Sequence, residues 1–290
     1  MFKGSFVALI TPFRDGAVDD KAFQEHVAWQ LGQGTHGLVP IGTTGECPAL
    51  EDDEQERLIK MTVEVASGRA PVIPGTGFNS TTHTIHATKV AKKAGADAAL
   101  VVCPYYNKPT QEGLYRHYKT IAEAVDLPLV LYNIPSRTSV NMLPSTVARL
   151  SAIRNIVAIK EGAGSLQQVS EIIEACGERI TVLSGDDALT LPMMAVGAKG
   201  VITVTANVAP ADMAALVDAF AAGHLDRAKT LHYKLYPLFT ALFYETNPIP
   251  VKEALAMMGK IDPELRLPLC PMSSENRDKL TRVMKDYGLI

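Results

Sequence analysis

The stretch "NIVAIKE", Asn155 to Glu161, is an apolar run that ends on a lysine and a glutamate. Ile156, Val157, Ala158 and Ile159 offer no polar face, as expected of a parallel strand covered on both sides. The same short run, rich in Val, Ile and Leu, recurs along the chain. It is found at Ser5 (SFVALIT), Gly37 (GLVPIG), Pro71 (PVIPGTG) and Ala98 (AALVVCP), and again at Leu127 (LPLVLYN), Ile180 (ITVLSGD) and Gly200 (GVITVTA). Segments of helical period lie between, such as Asp20 to Gly34, Asp53 to Gly68 and Ser80 to Gly95. The last has Ser80 or Thr81 as an N-terminal cap and Gly95 as a stop. Eight strand–helix units in succession predict an α/β fold, a (β/α)8 TIM barrel. A doubly wound open sheet is the alternative, because a strand count does not prove closure. After Gly223 the rhythm stops. Leu225 to Tyr244, Pro250 to Met258 and Ser274 to Tyr287 read as helices with no strand between them. Residues 1–223 are therefore read as the barrel and 224–290 as a C-terminal helical extension.

Bulk properties exclude several function classes. A net charge of -3 and a pI near 6.2 argue against a nucleic-acid or anionic-membrane surface. No apolar run is long enough to span a bilayer, and "MFKGSFVALITPF" lacks a signal-peptidase site, so it reads as a first strand. Cys47, Cys103, Cys176 and Cys270 stand far apart and form no C-x-x-C pair. Free thiols and a cytoplasmic location are expected, and a zinc site is not.

In barrels of this kind the chemistry sits at the C-terminal ends of the strands. Those ends carry "GTTGE" with Thr43 and Thr44, "CPYYNKPT" with Tyr105 and Tyr106, "YNIPSRT" with Tyr132 and Arg137, then Lys160, then "SGDD". Lys160 has two readings: an ammonium that reaches solvent or a carboxylate, or a neutral amine that attacks a carbonyl. A free lysine has a pKa of about 10.4, so the second reading needs burial to favour the neutral form. Each neighbour has a bland reading too. A strand-end tyrosine is commonly a core ring with a wet hydroxyl, "GTTG" is a plausible turn, and Arg137 fits a solvated loop. Gathered on one rim, an amine, phenols, hydroxyls and a guanidinium suit imine chemistry on a keto acid.

Other patterns carry less. "GTGFNS" at Gly75 lacks the third glycine of a dinucleotide fingerprint. His83 and His86 share a helix face but have no further ligand at suitable spacing. Asp186 and Asp187, adjacent on a strand end, point to opposite faces, which makes joint magnesium ligation awkward.

Taken together, "GTTGE", "PYYNKPTQEGLY", "YNIPSRT", "IKE", "LSGDD" and "VTANVAP" resemble the dihydrodipicolinate synthase family over essentially the whole chain. The resemblance implies a lyase that joins pyruvate to L-aspartate-4-semialdehyde through a lysine Schiff base. The product is 4-hydroxy-tetrahydrodipicolinate, on the route to diaminopimelate and lysine. It implies no metal or organic cofactor, and a homo-oligomer, at least a dimer and commonly a tetramer built from dimers. By the same resemblance Lys160 forms the imine, Tyr132 is the acid/base beside it, and Thr44 links Tyr132 to Tyr106 in a proton relay. Tyr106 would reach in from a neighbouring subunit. Thr43 would contact the pyruvate carboxylate, Arg137 the semialdehyde carboxylate, and the backbone around Gly185 and Ile202 would shape the pocket.

N-acetylneuraminate lyase and keto-deoxy-sugar-acid aldolases share most of these features, and Arg137 in its "SRT" context separates the chain from them. A noncatalytic barrel that senses a keto acid is the reading from outside enzymology. The resemblance also bears on regulation. Lysine-inhibited members use an asparagine, a tyrosine and a glutamate; here Asn79 and Tyr105 match, but His83 stands at the glutamate position. Asp52 and Gln55 occupy nearby positions that are histidine in some sensitive members. Weak or absent lysine inhibition is expected.

Overall fold

The computed structural model describes residues 2–290. Parallel strands β1 (Gly4–Ala8), β2 (Gly37–Val39), β3 (Ala99–Val102), β4 (Leu129–Asn133), β5 (Ile156–Glu161), β6 (Thr181–Ser184) and β7 (Gly200–Thr203) form one sheet. Their order is β2-β1-β7-β6-β5-β4-β3. The sheet curls until its two edge strands face each other across residues 71–77. That segment was expected to be a regular strand and is not one. Pro71 and Pro74 have no N–H to give to a ladder, so it makes only isolated parallel bridges, Leu38 with Val72 and Gly75 with Leu100. Ile73 N donates to Leu38 O at 2.8 Å and Leu100 N to Pro74 O at 2.8 Å, which stitches both edges and closes the barrel. The open-sheet alternative is thereby set aside. A small hairpin, Phe13–Arg14 with Ala17–Val18, precedes the first helix and was not foreseen.

Helices α1 (Asp20–Gly32), α2 (Asp52–Ala66), α3 (Thr81–Lys93), α4 (Gln111–Ala124), α5 (Pro144–Leu150), α6 (Leu166–Cys176), α7 (Thr190–Ala195) and α8 (Pro210–Ala221) follow the strands. Side-chain caps start several of them: Asp19 accepts from Ala22 N, Ser80 from His83 N and Ser165 from Gln168 N. The extension consists of α9 (Leu225–Ala241), α10 (Ile249–Met257) and α11 (Ser274–Tyr287). Its apolar residues Leu235, Leu238, Val251 and Leu280 join one continuous core with Val7, Phe23 and Leu58.

Strand alternation decides what enters the barrel. Phe6, Leu100, Val130, Ala158, Leu183 and Ile202 pack together inside it, while Val101, Leu131 and Ile159 face the helices. Gly37 makes room for this floor, since a Cβ there would lie 2.0 Å from the Phe6 ring. Two residues beyond Val130 and Ala158, on the same inward face, come Tyr132 and Lys160.

Candidate active site

Above the apolar floor the barrel opens into a cavity of about 250 Å³. Thr43, Thr44, Tyr132, Arg137, Lys160 and Gly185 all line it, so six of the eight residues singled out in the sequence meet in one place. Tyr132 and Lys160 are register partners on β4 and β5. The Lys160 Nζ lies 4.3 Å from the centroid of the Tyr132 ring. The lysine side chain does not run to solvent, because the residue is only 7% exposed. Nor does it meet the adjacent carboxylate. Glu161 points the opposite way along the pleat and accepts from Asn133 Nδ2, Gln168 Nε2 and the Ala163 N–H behind the strand. Burial there pushes the Glu161 carboxyl up, with those donors opposing it.

Cys47 is a second nucleophile in the cavity wall. Burial pushes its thiol up to about 12, which leaves it protonated and unreactive at neutral pH.

The threonines sit in a tight turn in which Gly45 N donates to Gly42 O and Glu46 N to Thr43 O, both at 3.1 Å. Thr44 is buried, and its Oγ1 accepts from Asn247 Nδ2 at 3.0 Å. Arg137, largely exposed on the single turn Pro135–Thr138, donates from Nη2 to the backbone oxygen of the same Asn247 at 3.0 Å. Asn247 thus joins the hydroxyl to the guanidinium. Its own Oδ1 is buried in the cavity wall with no protein partner. The residue lies between the expected helices Leu225 to Tyr244 and Pro250 to Met258, and the sequence reading gave it no role. The usable signal was an amide beside proline at a break between helices, where a side chain commonly bonds across the chain. At Gly185 a Cβ would come within 3.0 Å of the Glu161 carbonyl, and the bare backbone leaves that side of the cavity open.

Two expected residues lie elsewhere. Tyr106 is 90% exposed, in the left-handed region at φ 70°, and does not line the cavity of its own chain. Ile202 is buried in the interior cluster with Phe6 and Leu183, and Val204 takes the cavity-facing place.

The weaker motifs do not assemble into a metal centre. Asp187 accepts from Thr205 N and Oγ1, whereas Asp186 Oδ1 accepts from Ala188 N. His83 stacks on Phe78 with centroids 4.0 Å apart, and its Nε2 lies 4.0 Å from Asp52 Oδ1. Among the described residues no cluster of three or more His, Cys, Asp or Glu side chains is arranged to hold a metal ion. No helix among them is long and apolar enough to cross a membrane.

A model of the dihydrodipicolinate synthetase family matches residues 1–287. The 4-hydroxy-tetrahydrodipicolinate synthase of Thermodesulfovibrio yellowstonii is 59% identical over 290 residues, covering 100% of both chains. The enzyme of that name from Geotalea uraniireducens is 58% identical over 290 residues, again with 100% of both covered. The crystal structure of dihydrodipicolinate synthase from Aquifex aeolicus superposes with a TM-score of 0.98 at 51% identity, covering 99% of each chain. A lysine-bound crystal structure of the corresponding protein from Cyanidioschyzon merolae superposes at 0.96 with 38% identity, covering 100% of this chain and 99% of that one.

Proposed function

Because the chain belongs to the dihydrodipicolinate synthetase family, we propose that it is the lyase that condenses pyruvate with L-aspartate-4-semialdehyde to 4-hydroxy-tetrahydrodipicolinate. The observation that carries the reading is Lys160, an amine buried in the cavity against the Tyr132 ring with its neighbouring carboxylate turned away. Its Nζ adds to the keto carbon of pyruvate, and loss of water gives the imine. Removal of a methyl proton gives the enamine, whose carbon attacks the aldehyde of the second substrate. The amino group of that substrate then displaces Lys160 and closes the ring. Tyr132 moves protons at the lysine, with Thr44 and the Tyr106 of a second copy completing the relay. Thr43 holds the pyruvate carboxylate and Arg137 that of the semialdehyde. The backbone at Gly185 and Ile202 shapes the remaining wall. The imine supplies the electron sink, so the reading includes no metal or organic cofactor. The exposed, left-handed Tyr106 supports a homo-oligomer, and we assign a tetramer built from dimers, in the cytoplasm, within lysine and diaminopimelate biosynthesis.

The test is to incubate the protein with pyruvate, reduce with borohydride and map the modified peptide. The adduct is expected on Lys160 and is expected to vanish in Lys160→Ala; an adduct elsewhere, or none, rejects the mechanism. Parallel assays then compare condensation with the semialdehyde against cleavage of N-acetylneuraminate, and binding without turnover would favour a keto-acid sensor.

A further inference from the structure

The turn that carries Thr43 and Thr44 ends on Glu46, a non-glycine residue at φ 54° and ψ 35°. A side chain is disfavoured in this left-handed conformation, which persists only where surrounding contacts impose it. The Glu46 carboxylate is buried. It accepts from Lys252 Nζ at 2.7 Å and from Arg266 N at 3.1 Å. Lys252 is wholly buried on α10, with its Nζ 4.2 Å from the centroid of the Phe13 ring. Burial pushes the Lys252 amine below the ordinary lysine range, and the Glu46 carboxylate opposes that. Five residues before Lys252, Asn247 donates to the Thr44 hydroxyl. The segment 247–252 therefore grips the turn at two points, one on Thr44 and one on Glu46. On its far side the turn is held by Thr11 Oγ1, which donates to Gly45 O at 2.8 Å.

Two charges with no access to water are a costly way to staple a helix to a barrel. Apolar side chains of the same volume commonly do as well or better. What an apolar pair lacks is direction: a carboxylate bonded to an ammonium and a backbone N–H sets the rotation of the residue that bears it. We infer that the Glu46–Lys252 pair is a positioning device. It holds the turn in the conformation that keeps Thr43 and Thr44 in the wall of the cavity that contains Lys160, and it makes the C-terminal extension part of the catalytic apparatus. The inference rests on the reaction proposed above for its catalytic consequence, but not for its structural one.

Removing one partner strands a buried charge and risks the fold, so the informative variant is the double substitution Glu46→Gln with Lys252→Met. Two readouts separate the possibilities, both taken well below the melting temperature of the variant. Hydrogen exchange at the amides of Gly42–Cys47 is expected to accelerate at least tenfold, with β4 and β5 unchanged. Turnover is expected to fall at least tenfold, while borohydride still traps pyruvate on Lys160. A variant that melts earlier but keeps turnover and turn exchange within twofold of the parent has lost only a staple, and overturns the proposal. Faster exchange with undiminished turnover overturns it as well. A parent chain with no turnover on the semialdehyde refutes the reaction instead, and the exchange result then decides the positioning claim by itself.

Discussion

Tyr132 and Lys160 are register partners on adjacent parallel strands, and the amine of one lies 4.3 Å from the ring centroid of the other. The ring seats the amine, so Tyr132→Phe keeps the seat and deletes only the hydroxyl. Turnover is expected to fall by roughly 10²- to 10⁴-fold, the usual range for lost proton transfer. Tyr106→Phe is expected to slow turnover in the same way while the pyruvate imine still forms. Tyr106 is exposed and outside the cavity of its own chain, so mixing the two variants should restore activity in sites that combine both intact tyrosines. No recovery after proven subunit exchange would argue that Tyr106 acts within its own chain.

Arg137 is tied by Nη2 to the Asn247 carbonyl, which sets its guanidinium at the cavity wall. Arg137→Ala is expected to raise the KM for the semialdehyde about ten- to a hundred-fold, from the loss of a charge-assisted contact of roughly 1.5–3 kcal/mol. The KM for pyruvate should change far less. Equal changes for both substrates would count against the assignment.

Lysine inhibition is expected to be weak or absent. At position 83 an imidazole stacks flat on Phe78 and faces Asp52. Neutral or protonated, it cannot pair with the amino group of an effector as a carboxylate would. The loss of such a contact weakens binding by roughly ten- to a hundred-fold. Initial rates across a lysine titration decide the matter, and clear submillimolar inhibition would show the reasoning wrong.

Acid should destabilise the fold through His26. Burial pushes this imidazole from 6.5 down to about 4, while its Nε2 bonds to Asn207 Oδ1 and its Nδ1 has no partner. Between pH 6.5 and 4 the unfolded chain takes up the proton and the folded chain does not. Stability is therefore full above the upper limit and falls by about 3 kcal/mol as the pH drops through that window. Thermal melts of the parent and His26→Gln, compared at neutral and acid pH, isolate the contribution. The variant should lose less stability on acidification, and identical losses would refute the assignment.

Seven of the eight expected strands, most helix limits and the extension were legible because they depend on near neighbours. A run such as Ile156–Ile159 declares a buried strand by itself, and Ser80 declares a cap. Even Lys160 stood out in the sequence, since a strand that ends in a cation is locally unusual. The quoted motifs further identified the family and most of the rim. The tertiary structure alone decided which of these groups touch. Closure through 71–77 depends on two neighbouring strands, whose Leu38 and Leu100 N–H groups donate to the Pro71 and Pro74 carbonyls. Asn247 meets Thr44 across 203 positions, Arg137 meets Asn247 across 110, and Lys252 meets Glu46 across 206. Local periodicity reflects the backbone dihedrals and solvent exposure of a few adjacent residues. Such distant contacts depend on where a closed barrel returns the chain, which no short window of sequence contains.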